Sequence, residues 1–96
     1  MNFIENKPSI FIAFVINNRY IRWEEVSYEA TINDIRYLLL HKYKIENSIL
    51  EVEDTEIGET SFKRIKIKKF IREKNENALS IRVYTEHPIK IPRDVN

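Results

Sequence analysis

The chain has 96 residues, which is enough for one hydrophobic core and too few for two globular domains. Its 16 Lys and Arg residues nearly balance 15 Asp and Glu residues, and the net charge of +1 excludes a uniformly basic coat for nucleic acids. The absence of cysteine excludes disulfides, thiol nucleophiles and cysteine-ligated metals, and a single glycine, Gly58, excludes the glycine-rich loops that bind nucleotide phosphates. The longest apolar run, Ile10–Ile16, is far shorter than the ~20 residues of a membrane span, so we expect an intracellular protein without a membrane anchor.

A β-hairpin is the first predicted element. Residues 1–8 carry no periodic pattern and are predicted to be a lead-in. Residues Ile10–Ile16 are apolar at both parities and rich in β-branched and aromatic side chains, which is typical of a central strand. Asn17 and Asn18 tolerate the positive φ of a tight turn, and residues 20–26 resume the extended pattern. The sequence therefore predicts two paired strands, 9–16 and 20–26.

A helix over residues 32–44 follows. Thr31 can accept hydrogen bonds from the first backbone N–H groups of the helix, and Asp34 favours the positive end of its dipole. Four aliphatic residues then recur on one stripe that can face a core: Ile32, Ile35, Leu38 and Leu39.

A second hairpin is predicted from residues 49–54 and 62–71, which are separated by a polar stretch that holds Gly58. In the antiparallel register with position sums near 117, aliphatic residues face each other on one side and acids face bases on the other. A slip of one residue would destroy both matches. The expected pairs are Val52 with Ile65, Leu50 with Ile67, Glu53 with Arg64, and Glu51 with Lys66.

The last predicted strand covers residues 78–84, where apolar and polar side chains alternate. Beyond it, residues 86–96 contain Pro88 and Pro92 and are predicted to form an extended tail or linker. The predicted order of elements is β-β-α-β-β-β, with one helix to cover one sheet. The predicted fold class is therefore an α+β roll.

The predicted helix also carries a family resemblance. Its residues stand at the spacing found in the helix of the ubiquitin-like β-grasp superfamily, and the resemblance covers residues 9–85. It implies one ubiquitin-like domain over that range, with one mixed sheet covered by one helix. The residues that carry the spacing are Thr31, Ile32, Ile35, Arg36, Leu39, Lys42 and Ile45, the last of which would re-enter the core after the helix.

Within this superfamily, the first strand is similar to that of the DWNN domain. The similarity includes Ser9–Phe14, Trp23-Glu24-Glu25 after the second strand, and Asn33-Asp34-Ile35 at the helix entry. DWNN domains are ubiquitin-like modules at the N-terminus of pre-mRNA 3′-end processing factors and ubiquitin ligases. The resemblance implies a protein partner in a multi-subunit complex, and it favours the nucleus over the cytoplasm.

Local charge supplies the candidate binding residues. Lys63–Lys74 holds seven basic residues and one acid, whereas Glu46–Glu59 holds six acids and no base. Either hairpin pairing neutralises these runs, or the remaining cations recognise an acidic protein or, as a weaker alternative, RNA. A rival hypothesis is that the chain binds a small GTPase. Ras-binding modules share this fold and place basic residues on the second strand and the helix, where this chain has Arg19, Arg22 and Arg36. The candidate partner-binding residues are Arg64, Lys66, Lys68, Lys69, Arg72, Arg22 and Arg36.

The sequence predicts binding rather than catalysis. His41 and His87 each stand alone without the spacing of metal ligands, so we expect no catalytic residue, metal, cofactor or small-molecule substrate. Trp23 is expected to be core or half-buried, although an exposed tryptophan would be a binding anchor. The chain is interpreted as a non-catalytic protein-interaction module. Two alternatives stay open: a small-GTPase-binding domain, and an accessory subunit that docks through an edge strand or the outer sheet face.

Overall fold

A computed structural model describes residues 9–58, 62–72 and 76–86. The fold is α+β, with one helix and one mixed five-stranded sheet, as expected from the sequence. The predicted lead-in and nearly all of the predicted tail lie outside the described residues. In chain order the elements are β1 (Ile10–Ile16), β2 (Tyr20–Val26), α1 (Ile32–Tyr43), β3 (Ile49–Val52), β4 (Thr55–Ile57), a 3-10 helix (Ile67–Phe70) and β5 (Ala78–Tyr84).

The strands lie side by side in the order β2-β1-β5-β3-β4. The pairing of β1 with β5 is parallel, and all other neighbours are antiparallel. The first and last strands of the described chain are therefore central, and β2 and β4 form the two edges. Among the described residues, β2 and β4 therefore each have a strand neighbour on one side only, and β2, with seven residues, is the longer of the two.

The first hairpin is confirmed. Asn17 and Asn18 have φ angles of 51° and 55°, and the Arg19 N–H closes the turn by donating to the Ile16 carbonyl at 3.0 Å. Asn17 also fastens the turn to the end of β5. Its Nδ2 donates to Thr85 Oγ1 at 2.7 Å, and its Oδ1 accepts from the Thr85 N–H at 2.9 Å.

The helix begins with the predicted cap. Thr31 Oγ1 accepts from the Asp34 N–H at 3.2 Å, and the Asp34 carboxylate accepts from the Thr31 N–H at 2.9 Å, so both side chains satisfy backbone donors that the helix leaves unpaired. Lys44 ends the helix in the left-handed region at φ 59°. The chain then returns Ile45 to the core, as expected. The buried helix residues are Ile32, Ile35, Leu39 and Tyr43, whereas Leu38 is half-buried.

The second hairpin differs from the prediction. β3 pairs with Thr55–Ile57 through a turn at Glu53 and Asp54, whose φ angles are 45° and 67°. Leu50 therefore lies opposite Ile57 and not opposite Ile67. The predicted register was wrong because β4 is too short to show alternation, while the acidic turn residues looked like a continuation of the strand.

Residues 62–71, predicted as a strand, instead pack against the start of α1. The Ile65 and Lys63 carbonyls accept from the Ile32 and Asn33 N–H groups at 2.9 and 3.0 Å. These donors belong to the first turn of the helix, which has no intrahelical acceptors for them. Ile67 is fully buried, and its N–H donates to the Ala30 carbonyl at 2.9 Å. The alternation of isoleucine and lysine is therefore not that of a strand. In this segment Ile67 is buried in the core, and the backbone carbonyls cap the first turn of α1.

The core lies between α1 and one face of the sheet, which we call the inner face. Along β1 and β5, alternate residues point to it and are almost completely shielded from water. The opposite face, called the outer face here, has no helix over it among the described residues. The buried strand residues are Ile10, Ile12, Phe14, Ile16, Leu50, Val52, Ile57, Leu79, Ile81 and Val83.

Candidate functional site

The outer face carries a cluster of apolar side chains on β1 and β2, which we call the β1–β2 patch. Its members are next to one another because Ala13 lies opposite Trp23, and Val15 lies opposite Ile21, in the antiparallel register. Trp23 is 64% exposed, Ile21 59% and Phe11 42%. The β1–β2 patch consists of Phe11, Ala13, Val15, Ile21 and Trp23.

The position of Trp23 corrects the expectation that it would be core or half-buried. β1 is apolar at both parities, and its even-numbered residues already fill the inner face. Its odd-numbered residues must therefore point outward, and Trp23 shares their face because its partner is Ala13. Phe11 and Ile21 were missed as site residues. The continuous apolar character of β1 was the available signal, but sequence alone does not say which strand face is uncovered.

The centre of the outer face beyond the β1–β2 patch is polar. Ser80 and Arg82 of β5 lie beside Ala13 and Val15 of β1, and Arg82 is 3.9 Å from the Glu51 carboxylate on β3. The largest exposed apolar area of the outer face therefore lies on the half of the sheet that ends at β2, and Ile49 with its partner Tyr84 is a smaller apolar site on the other half. A concentrated exposed apolar patch with a polar surround is typical of a protein-binding surface.

A groove of about 420 Å³ lies on the other side of the β2 edge, between the end of β2 and α1. Val26, Leu38 and Tyr37 are among its lining residues, and Tyr37 is 63% exposed. The Tyr37 ring lies 4.0 Å from the His41 ring, centroid to centroid. Apolar groups thus flank the β2 edge on both faces of the sheet.

Residues 62–72, called the basic segment here, include two candidate cations that form ion pairs within the chain. Lys66 Nζ and Lys68 Nζ each lie 2.7 Å from the Glu29 carboxylate. Lys68 Nζ also lies 5.1 Å from the centroid of the Tyr28 ring. The hydrogen bonds from Lys66 and Lys68 lower the pKa of Glu29 from 4.5 to about 2. These lysines join the loop before α1 to the segment that follows β4.

The other candidate residues of this segment lie outside that cluster. Arg64 and Lys69 are exposed. Arg72 is 3.6 Å from the Asp54 carboxylate in a pair that is open to water on both sides, which is worth little to stability. Arg64, Lys69 and Arg72 therefore remain accessible to a partner.

Arg22 and Arg36 do not share one surface. Arg36 donates to the carbonyls of Ser48 and Gly58 at 2.8 and 2.6 Å, beside β4. Arg22 lies on β2, opposite the buried Phe14, and donates to the Ile21 carbonyl at 3.0 Å. Because β2 and β4 are opposite edges of the sheet, the structure separates these two cations.

The described residues hold no group of three or more His, Asp or Glu side chains arranged to bind a metal ion. No helix in the described ranges is long and apolar enough to cross a bilayer. A scan against protein-family models and a search of curated proteins found no match to the chain. The assignment of the candidate site therefore rests on the structure of the chain itself.

Proposed function

We propose that this chain is a ubiquitin-like β-grasp domain that acts as a non-catalytic protein-interaction module through the β1–β2 patch. The observation that carries the proposal is the joint exposure of Trp23, Ile21 and Phe11 on one sheet face. A solvent-exposed tryptophan with aliphatic neighbours offers a large rigid contact area at low entropic cost. Such residues dominate the energy of many interfaces.

The sheet supports the ubiquitin-like part of the proposal. A parallel central pair, β1 with β5, is flanked by one hairpin on each side, and a single helix covers one face. The connection from the first hairpin to the second passes through that helix. The resemblance of residues 9–85 to β-grasp domains implies an arrangement of this kind.

The DWNN resemblance supports a proposal for the pathway and the compartment in which the chain acts. Ser9–Phe14, which carries the similarity, includes two members of the β1–β2 patch, Phe11 and Ala13. We therefore propose a role as the ubiquitin-like domain of a pre-mRNA 3′-end processing or ubiquitin-pathway factor, in the nucleus. The partner would be a protein subunit that presents an apolar protrusion and an acceptor for the indole N–H of Trp23.

The test is affinity isolation of the tagged chain from native cell extract, with matched surface variants. Phe11→Ser removes an exposed aromatic side chain of the patch, and Tyr37→Ser removes an exposed aromatic side chain on α1 as the control. We expect cleavage and polyadenylation subunits to be retained by the unmodified chain and by Tyr37→Ser, and lost with Phe11→Ser. Retention of the same subunits by Phe11→Ser would overturn the assignment of the surface.

The alternative of small-GTPase binding makes a different prediction. It requires capture that depends on GTP and is abolished by Arg22→Glu, while Phe11→Ser has no effect. The engagement of Arg36 beside β4 removes one of the cations on which that alternative rested. RNA binding through the basic segment would instead depend steeply on salt and would be lost with Lys69→Glu.

A further inference from the structure

The free edge of β2 exposes the backbone groups of alternate residues. The Phe11 and Asn17 N–H groups donate to carbonyls of the β5 side, at Asn77 and Val83, both at 2.8 Å. Odd-numbered residues of β1 therefore direct their backbone groups toward β5, and even-numbered residues direct theirs toward β2. Since Cα partners in the hairpin are both even or both odd, the odd-numbered residues of β2 face away from β1. These residues are Ile21, Trp23 and Glu25.

This edge lacks two of the usual protections against pairing with another strand, a bulge and a proline, although it carries the charged residues Arg22, Glu24 and Glu25. β2 pairs with β1 in unbroken register over all seven of its residues, so it contains no bulge that would twist the edge away. It contains no proline. Within the described ranges, β1 is its only strand neighbour. A long regular edge flanked by exposed Ile21 and Trp23 is a template for another strand.

The sequence of β2 favours a second copy of itself in one register. A two-fold axis through Trp23 pairs Tyr20–Val26 with Tyr20–Val26 along the full strand. It places Arg22 opposite Glu24 of the second copy, twice by symmetry. An axis through Arg22 would oppose arginine to arginine, and an axis through Glu24 would oppose glutamate to glutamate. Charge therefore favours the axis at Trp23 over the axes at Arg22 and Glu24, and among all axes only this register pairs the whole length of the strand.

We propose that two copies of this chain join their β2 strands antiparallel about a two-fold axis at Trp23. The outward N–H and carbonyl groups of Trp23 then bond with those of Trp23 in the second copy. Those of Ile21 bond with those of Glu25. The Glu24 carboxylate accepts hydrogen bonds from Lys42 and Tyr43 of α1, and Glu24 occupies the register position opposite Arg22 of the second copy. Such an isologous contact closes on itself and joins the two β1–β2 patches into one apolar face.

Disulfide cross-linking tests the register directly. The chain has no cysteine, so every introduced thiol is unique. Trp23→Cys places its two copies in a hydrogen-bonded pair with Cα atoms about 5.5 Å apart, within the range that a disulfide spans. The control Ile21→Cys keeps its two copies roughly 14 Å apart along the strands. We expect covalent dimers from Trp23→Cys alone and from Ile21→Cys mixed with Glu25→Cys, and none from Ile21→Cys alone.

Charge reversal tests the same interface without a cross-link. Arg22→Glu and Glu24→Arg each oppose like charges, so each chain alone is expected to weaken dimerisation at least tenfold in sedimentation equilibrium. A mixture of the two variants restores opposite charges at both positions and is expected to associate again. Lys69→Glu, the same change of charge at an exposed position, is the control and should dimerise like the unmodified chain.

Dimerisation through β2 does not depend on binding of the proposed partner. Phe11→Ser should impair partner capture and leave the dimer intact, because Phe11 lies on β1. Arg22→Glu should do the reverse. An unmodified chain that sediments as a monomer throughout the accessible concentration range would overturn the proposal. Equal cross-linking of Trp23→Cys and Ile21→Cys would overturn it as well.

Discussion

The β1–β2 patch and the basic segment 62–72 differ in how the fold uses their conspicuous side chains. The basic segment caps the first turn of α1 with its carbonyls, buries Ile67 and pairs Lys66 and Lys68 with Glu29. The β1–β2 patch leaves Trp23 and its neighbours in water although they contribute large apolar areas. Lys66 and Lys68 of the basic segment thus have partners within the fold. The outward apolar side chains of β1 and β2 find no covering element among the described residues, because the core already lies on the other face of these strands.

The largest effect should follow from Ile67→Ala, which tests whether the basic segment is structural. Ile67 is fully buried, so its truncation removes transfer free energy and leaves a cavity. We expect the free energy of unfolding to fall by about 2–5 kcal/mol in urea denaturation. The control Phe62→Ala, at an exposed position in the same segment, should change it by less than about 1 kcal/mol. Similar values for the two variants would mean that this segment is not anchored in the core.

A smaller effect is expected from Arg36→Ala. The substitution deprives the carbonyls of Ser48 and Gly58 of a charged donor, and both lie where the chain passes close to β4. We expect a loss of about 1–3 kcal/mol of unfolding free energy, with no change in partner capture. Loss of capture at unchanged stability would instead return Arg36 to the list of partner-binding residues and strengthen the GTPase alternative.

Trp23→Ser should change stability little, because the indole is mostly in water. In dilute solution we expect less than about 1 kcal/mol of change in the free energy of unfolding, together with loss of partner capture. The dimer should persist, because its contacts at Trp23 are made by backbone groups. Chemical denaturation, affinity isolation and sedimentation would measure the three properties separately. A large loss of stability would show that Trp23 is part of the core, contrary to its exposure on the outer face.

The smallest effect should come from Glu29→Gln, and it should depend on pH. The two lysines lower the pKa of Glu29 from 4.5 to about 2, so the carboxylate adds stability above pH 4.5 and loses that contribution as the pH falls toward 2. We expect Glu29→Gln to be the less stable protein at neutral pH and the two stabilities to converge between pH 4.5 and 2. Glu46→Gln, at an exposed position, should follow the unmodified chain. A constant difference across this range would show that Glu29 does not titrate through its lysine contacts.

Elements with local signals could be predicted from the sequence. The Asn17-Asn18 turn, the Thr31 cap and the alternation of β5 each specify one conformation within a few residues, and all three agree with the structure. β4 could not be predicted, because three residues do not establish a period. Complementary charges favoured a pairing of residues 49–54 with residues 62–71. In the structure, residues 62–71 instead cap the first turn of α1.

The candidate site could be predicted only in part. The sequence drew attention to Trp23 and to an apolar first strand, but strand order and register determine that Trp23 joins Phe11 and Ile21 on an uncovered face. Pairing between residues that are distant in the sequence cannot be read from the pattern of adjacent residues. The same holds for Arg36, whose acceptors lie 12 to 22 residues away along the chain.

The most direct measurement compares the two regions as binding surfaces in one experiment. The captured partner would be titrated against Phe11→Ser and against Lys69→Glu combined with Arg64→Glu, at low and at moderate salt. We predict that Phe11→Ser weakens binding at least tenfold at both salt concentrations, and that the charge variant binds like the unmodified chain. Binding that survives Phe11→Ser and is lost with the charge variant would contradict the assignment of function to the β1–β2 patch.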